Sequence, residues 1–259
     1  MPTEPIILVA MGVLFTWTMN NIGSSLVFAF PKSNKKVFDF SLGLAGGIML
    51  ASSIWSLLVP AMETSDYFHL PSWLTVGGAF IAGSLLIKLV DTLTPHLHIG
   101  SVKPEGTHSK LTKKILLYLA MTLHNIPEGF AVGIALGGTG IIPEYSGIPV
   151  AIGIGIQNIP EGLAISTTLV TIGLTKLQGF AYGVLSGFTE VVGGFIGFLI
   201  IASFPQLFPL SLAISAGAMF YVIIEEVIPE AQSSENTDIP TLGAVLGFVI
   251  MTILDNLSY

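Results

Sequence analysis

The chain carries nearly the same hexapeptide twice, HNIPEG at positions 124–129 and QNIPEG at positions 157–162, each inside a long apolar stretch. A carboxylate at the centre of a membrane-spanning helix costs about 2.5–3.5 kcal/mol on insertion scales, so such residues usually serve a function. Each copy also contains a proline, which lacks an N–H group and bends a helix. The duplication therefore indicates a buried site for a positively charged ligand.

The composition around the two hexapeptides is that of a polytopic membrane protein. Hydrophobic residues make up 52% of the 259 residues and charged residues only 10%, whereas soluble domains carry about 25% charged residues. The chain contains no cysteine, which excludes disulfides and thiolate metal ligands. The net charge is −7, and no nucleic-acid partner is expected.

Apolar runs separated by Pro, Gly, Asn and charged residues predict an all-α membrane protein, a single domain of eight transmembrane helices over residues 1–259. With eight spans, every lysine of the chain falls on one side, which the positive-inside rule assigns to the cytoplasm. Both termini then lie outside the cytoplasm, and the longest loop, about 94–110, lies inside it. The predicted spans are about 5–30, 38–62, 71–93, 111–137, 146–173, 177–203, 207–229 and 239–257.

A faint internal symmetry joins two of these spans. Span 2 contains AGGIM at positions 45–49 and ends at Pro60, and span 7 contains SAGAM at positions 215–219 and ends at Pro229. In the predicted topology these spans cross the membrane in opposite directions, as do spans 4 and 5 with their hexapeptides. Inverted repeats around a site at the membrane midplane are a recurrent plan in transporters.

The two hexapeptides place polar groups on matching faces of spans 4 and 5. His124 lies four residues before Glu128, and Gln157 lies four residues before Glu161, so each pair shares one helix face. The prolines free the carbonyls of the residues four positions earlier. Span 6 adds Glu190 among small residues that permit close helix packing. The residues that can converge are His124, Asn125, Glu128, Gln157, Asn158, Glu161 and Glu190.

Nitrogen and oxygen ligands in this mixture suit zinc, iron, manganese or cobalt better than calcium or potassium. Further polar residues could line a transport path, although each also has an ordinary explanation as packing, snorkelling or solvation: Met49, Asp91, Glu225 and Glu226. The histidines of the 94–110 loop could capture a metal on the cytoplasmic side, or could be ordinary loop residues: His96, His98 and His108.

Together the two hexapeptides resemble the signature of the ZIP family of divalent metal transporters, and residues 49–58 and 215–230 resemble its GufA-like branch. The resemblance covers nearly the whole chain. It implies a metal site between spans 4 and 5 that span 6 completes, with the seven convergent residues as ligands, room for two adjacent ions, and uptake toward the cytoplasm. Many members carry His at the position of Gln157, and Asp can occupy that of Asn158, so the second motif is less basic and less anionic here.

The predicted function is transport of Zn²⁺, or of Cd²⁺, Fe²⁺, Mn²⁺ or Co²⁺, toward the cytoplasm by a multi-pass protein of the cell membrane. The metal is a substrate and not a catalytic cofactor, the chain is not expected to be an enzyme, and a homodimer in the lipid bilayer is a candidate assembly. A divalent cation channel and a metal sensor remain alternatives. An intramembrane metalloprotease is a weaker alternative, because the His-Glu-x-x-His spacing is absent.

Overall fold

The computed structural model describes residues 3–30, 35–65, 70–97, 104–107, 109, 111–138, 141, 147–233 and 237–257. Within these ranges, eight helical spans are long and apolar enough to cross a membrane. This confirms the predicted all-helical membrane bundle. No β-strand occurs in the described ranges, and His96 and Glu105 form an isolated antiparallel bridge in the loop after span 3.

The helices begin and end close to the predicted boundaries. Spans 1 to 3 comprise Thr3–Ser25 with the short 3-10 helix Leu26–Phe28, then Lys35–Ala51 continuing through Ser52–Leu58 and Val59–Glu63, then Ser72–Leu93. Spans 4 to 6 comprise Lys113–Leu123 and Asn125–Gly137, then Ile148–Thr171, then Lys176–Ser203. Spans 7 and 8 comprise Pro205–Leu207, Phe208–Val222, Ile223–Val227 and Ile228–Ala231, then Asp238–Asn256.

Spans 2 and 7 each change from α-helical to π-helical geometry just before a proline. In span 2 the N–H of Val59 donates to the carbonyl of Ile54, five residues earlier. In span 7 the N–H of Ile228 donates to the carbonyl of Ile223 in the same way. Pro60 and Pro229 follow directly and cannot donate, so each proline leaves one carbonyl of the preceding turn without its α-helical partner. The two π segments begin three and four residues after the two stretches of similar sequence, at Ser52 and Ile223.

Four helix pairs form the closest packing in the bundle: span 1 with span 5, span 4 with span 6, span 2 with span 8, and span 3 with span 7. Glycines make this approach possible, as is common in membrane helices. A Cβ atom on Gly129 would overlap the backbone of Glu190, and one on Gly217 would overlap the backbone of Phe80. The first of these contacts holds the HNIPEG motif directly against the acidic residue of span 6.

The apolar core lies between the spans, and spans 3 and 8 form much of the outer surface. Met49, Ile134 and Phe208 are buried in the core. By contrast, Trp73 and Leu242 are 71% and 65% exposed. Large apolar side chains that point outward are what lipid hydrocarbon accommodates, so the exterior suits a bilayer.

Candidate functional site

The centre of the bundle holds two carboxylates, each paired with a carboxamide from span 5. The side chains of Glu128, Gln157, Asn158 and Glu190 are fully buried. The Nε2 atom of Gln157 donates to Oε1 of Glu128 at 2.7 Å, and the Nδ2 atom of Asn158 donates to Oε1 of Glu190 at 2.5 Å. We call these four residues the inner cluster; it draws on spans 4, 5 and 6.

The two prolines act differently on their helices. In span 4 the α-helix is interrupted at His124, and a second helix begins at Asn125. Pro127 has no N–H to offer the carbonyl of Leu123, which accounts for a break at this level. In span 5 the helix Ile148–Thr171 continues through Pro160. His124 keeps α-helical backbone angles, so span 4 continues through the interruption, and Asn125 and Glu128 lie buried just after it.

The inner cluster presents four oxygen atoms that have no hydrogen-bond donor among the described residues: Oε2 of Glu128, Oε1 of Gln157, Oδ1 of Asn158 and Oε2 of Glu190. A buried polar atom left unpaired costs about 1–3 kcal/mol. All four atoms are acceptors, so another acceptor cannot satisfy them. A cation satisfies several such oxygens at once, and hard or borderline divalent metals bind carboxylate and carbonyl oxygens.

A second group of predicted residues lies one helical turn away, toward the end of the bundle that carries the lysines. The Nε2 atom of His124 forms a close ion-pair contact with Oε2 of Glu226 from span 7. His124, Asn125, Glu161, Ser186 and Glu230 line a small cavity at this level. We call this set the outer cluster.

The structure thus distributes the seven predicted ligands over two levels. Glu128, Gln157, Asn158 and Glu190 form the inner cluster, and the other three predicted ligands, His124, Asn125 and Glu161, belong to the outer cluster. In the part of the chain that the structure describes, no three His, Asp or Glu side chains come close enough together to hold one ion by themselves. An ion bound here would need further ligands of another kind, and the unpaired carboxamide oxygens of Gln157 and Asn158 are available for this.

The residues predicted for a transport path have different surroundings. Glu226 lies beside His124 with its side chain 11% exposed, and Glu225 is half-buried one position earlier. Met49 is 1% exposed within the apolar core. The structure therefore brings Glu226 to the predicted ligands, whereas Met49 packs among apolar side chains.

Asp91 and His96 contact each other at the end of span 3. The Nε2 atom of His96 lies 3.0 Å from Oδ1 of Asp91, and its Nδ1 atom lies 2.8 Å from the carbonyl oxygen of Thr94. His96 is 1% exposed, so its ring anchors the loop in this conformation. His98 and His108 lie outside the described residues.

Sequence reasoning missed Ser186, which organises the outer cluster from span 6. Its Oγ atom accepts from Nδ2 of Asn125 at 3.0 Å and from Oγ1 of Thr122 at 3.1 Å. Ser186 lies four residues before Glu190 on the same helix, and this spacing is a signal that could have identified it. The carbonyl of Thr16 in span 1, which accepts from Nδ2 of Asn158 at 3.2 Å, is a backbone group and leaves no such signal.

Comparison with known proteins assigns the chain to a family. A family profile described as "ZIP Zinc transporter" matches residues 101–255. The chain is 34% identical to the Zinc transporter ZIP11 of Homo sapiens, with 95% of each chain covered. It is also 34% identical to the Zinc transporter GufA of Myxococcus xanthus, with 93% of this chain and 95% of the relative covered. The Zinc transporter ZupT of Corynebacterium aurimucosum is 30% identical, with 93% of each chain covered.

These relatives are named as transporters and not as enzymes. The profile covers more than half of the chain, and the relatives align over nearly all of it. The eight apolar spans make the protein an integral, multi-pass membrane protein. The predicted family is thereby confirmed, and the chain belongs to the ZIP family of zinc transporters.

Proposed function

We propose that the protein carries Zn²⁺, or a similar divalent ion such as Cd²⁺, Fe²⁺, Mn²⁺ or Co²⁺, across the cell membrane toward the cytoplasm. The observation that carries the proposal is the set of four buried oxygens in the inner cluster that have no donor within the described ranges. They come from three different spans, and two of them belong to carboxylates. A divalent cation balances the charge of two carboxylates and can bind several oxygens at once.

The ion would bind in two successive environments. In the inner cluster, Glu128 and Glu190 supply carboxylate oxygens, and Gln157 and Asn158 supply carbonyl oxygens. In the outer cluster, His124 offers an imidazole nitrogen, and Asn125 and Glu161 offer oxygens. Glu128 and His124 are four residues apart, about 6 Å along the axis of an α-helix. Two adjacent ions, or one ion that passes from one level to the next, both suit this spacing.

The packing of the spans supports an inverted repeat, and the distribution of the lysines supports termini outside the cytoplasm. Suppose that spans 1, 2 and 3 correspond to spans 6, 7 and 8, and that span 4 corresponds to span 5. The contact of span 1 with span 5 then corresponds to the contact of span 6 with span 4. In the same way, the contact of span 2 with span 8 corresponds to the contact of span 7 with span 3. These are the four closest pairs. The π segments of spans 2 and 7 correspond in the same way. Transporters with this plan expose a midplane site to each side of the membrane in turn.

The proposed exit passes Glu226, which already contacts His124. Glu225 lies beside it, and Asp91 lies at the same end of the bundle on span 3. Capture of the ion by His96 would require its ring to leave Asp91 and Thr94. With His98 and His108, it would then offer the loop of residues 94–110 as a receiving site in the cytoplasm.

Uptake into proteoliposomes tests the function. The purified protein should give saturable, inward flux of at least one of zinc, cadmium, iron, manganese and cobalt. Glu128→Ala and Glu161→Ala should each reduce that flux to near background while the protein still inserts, because each removes a ligand and a negative charge. Glu63→Ala, at an exposed carboxylate at the end of span 2, is the matched control and should leave uptake unchanged.

Three results would contradict the proposal in different ways. Absence of flux for every metal in the panel would remove the transport function. Flux that rises linearly without saturation would identify a channel. Normal uptake by Glu128→Ala would show that the inner cluster does not bind the transported ion.

A further inference from the structure

Each inner carboxylate faces the nitrogen end of an amide and not its oxygen end. Gln157 donates to Glu128 at 2.7 Å, and Asn158 donates to Glu190 at 2.5 Å. An ionised carboxylate has acceptors only, so the NH₂ group is the end of an amide that can satisfy it. Hydrogen bonds from an N–H to a carboxylate are charge-assisted and stronger than neutral ones.

The orientation of Asn158 is fixed by a second contact. Its Nδ2 atom also donates to the backbone carbonyl of Thr16 at 3.2 Å. The amide nitrogen carries two hydrogens, and the carbonyl of Thr16 and the carboxylate of Glu190 accept one each. The Oδ1 atom of the same amide has no donor in the described part of the chain. One residue thus serves a carboxylate with its nitrogen and keeps its oxygen available for a cation.

In a carrier, buried carboxylates are without their metal ion during the return half of the transport cycle. A bound divalent ion neutralises the buried carboxylates while the loaded protein changes conformation. After release, the protein must return with the same carboxylates still buried, and an uncompensated charge in such an environment is costly. Two amide groups that donate to the two carboxylates are suited to this return step.

We propose that Gln157 and Asn158 are positioning residues for the return of the unloaded carrier, in which their N–H groups take the place of the metal ion against Glu128 and Glu190. This inference rests on the proposed carrier function. In the loaded protein the oxygens of the same amides bind the ion. In the unloaded protein the nitrogens hold the carboxylates, and the carrier returns without another cation.

Two transport assays separate the loaded step from the unloaded one. Net uptake into metal-free proteoliposomes requires the carrier to return unloaded in every cycle. Exchange of labelled metal outside for unlabelled metal inside lets the carrier return loaded. Loss of the amide donors should therefore impair net uptake and spare exchange.

Gln157→Glu and Asn158→Asp are the variants that test this role, because each keeps an oxygen ligand and loses the N–H donors. Net zinc uptake at neutral pH should fall about tenfold or more, which corresponds to the loss of a charge-assisted hydrogen bond in a buried site. Exchange at saturating zinc on both sides should fall by a clearly smaller factor than net uptake, because the acidic side chains still bind the ion. Thermal unfolding in detergent with zinc checks that the variants are folded.

Gln157→His is the matched rescue variant. A neutral imidazole has one N–H donor for Glu128 and one nitrogen lone pair for the ion. The ratio of its net uptake to its exchange should remain within about threefold of the ratio in the unaltered protein, since the donor to Glu128 is kept.

The proposal is overturned if net uptake and exchange fall by the same factor in both acidic variants, since the amides would then act only as ligands. It is also overturned if the acidic variants keep normal net uptake. Absence of any flux in the unaltered protein would defeat the proposed function itself. Flux through the unaltered protein that rises linearly with metal concentration, without saturation, would leave metal transport intact and remove the return step, because a channel does not return unloaded.

Discussion

Replacing Ser186 with alanine should weaken metal binding at the outer cluster without preventing folding. The hydroxyl accepts from Nδ2 of Asn125 at 3.0 Å, and Asn125 is only 4% exposed. In the variant this amide nitrogen loses its acceptor. It then either stays unpaired or turns toward the carboxylate of Glu161, which lines the same cavity. In both cases the oxygen of Asn125 is no longer held in place for an ion.

The size of the effect follows from the contacts that are lost. An unpaired buried donor costs about 1–3 kcal/mol, which corresponds to roughly a 5- to 150-fold loss of affinity if the whole cost falls on the bound state. Thr122 contributes little to this cost, because its hydroxyl keeps the carbonyl of Tyr118 as an acceptor at 2.7 Å. Removing one hydroxyl also leaves little empty space, so packing should be nearly unchanged.

The assay is zinc uptake as a function of external zinc, with purified variants reconstituted at equal density. Ser186→Ala should raise the KM and change the kcat much less, because the ion's binding and not its translocation depends on this hydroxyl. Ser186→Thr keeps the hydroxyl and should restore the KM. Thr122→Ala, which leaves the contact between Asn125 and Ser186 intact, is the control. An unchanged KM in Ser186→Ala, or an equal rise in Thr122→Ala, would refute the reasoning.

Two further predictions concern helix packing and the loop after span 3. Gly129→Ala should lower both folded yield and uptake, because its methyl group would overlap the backbone of Glu190. Gly78→Ala should be neutral in the same expression and uptake assays, since a Cβ there meets no atom of the described residues within 4 Å. His96→Ala should speed trypsin cleavage of the 94–110 loop, because the loop then loses the imidazole ring that anchors it to Asp91. If this variant also loses uptake, His96 takes part in metal transfer.

The spans could be predicted from sequence because each is a long apolar run bounded by residues that end helices. Span 6 is an example: Thr175 caps its first turn together with Gln178, in a capping box that the sequence spacing already contains. The prediction of 177–203 differs from the observed Lys176–Ser203 by one residue. Such boundaries depend on local interactions, which sequence patterns report directly.

The grouping of the site residues could not be predicted in the same way. Helical spacing places His124 and Glu128 on one face, but their partners come from different spans. Glu128 meets Gln157 of span 5, whereas His124 meets Glu226 of span 7. Which helices meet at each level depends on the packing of the whole bundle. The same holds for the amide orientations, which follow from acceptors such as the carbonyl of Thr16.

The π segments of spans 2 and 7 have a consequence for chain length. In a continuous α-helix, deleting one residue rotates everything that follows by about 100° relative to what precedes it. A π turn already contains one residue more than an α turn. Deleting a residue within Ile223–Val227 would therefore restore α-helical bonding and leave the flanking segments in their original rotational phase. At these two places the chain could lose a single residue and still direct the same side chains inward.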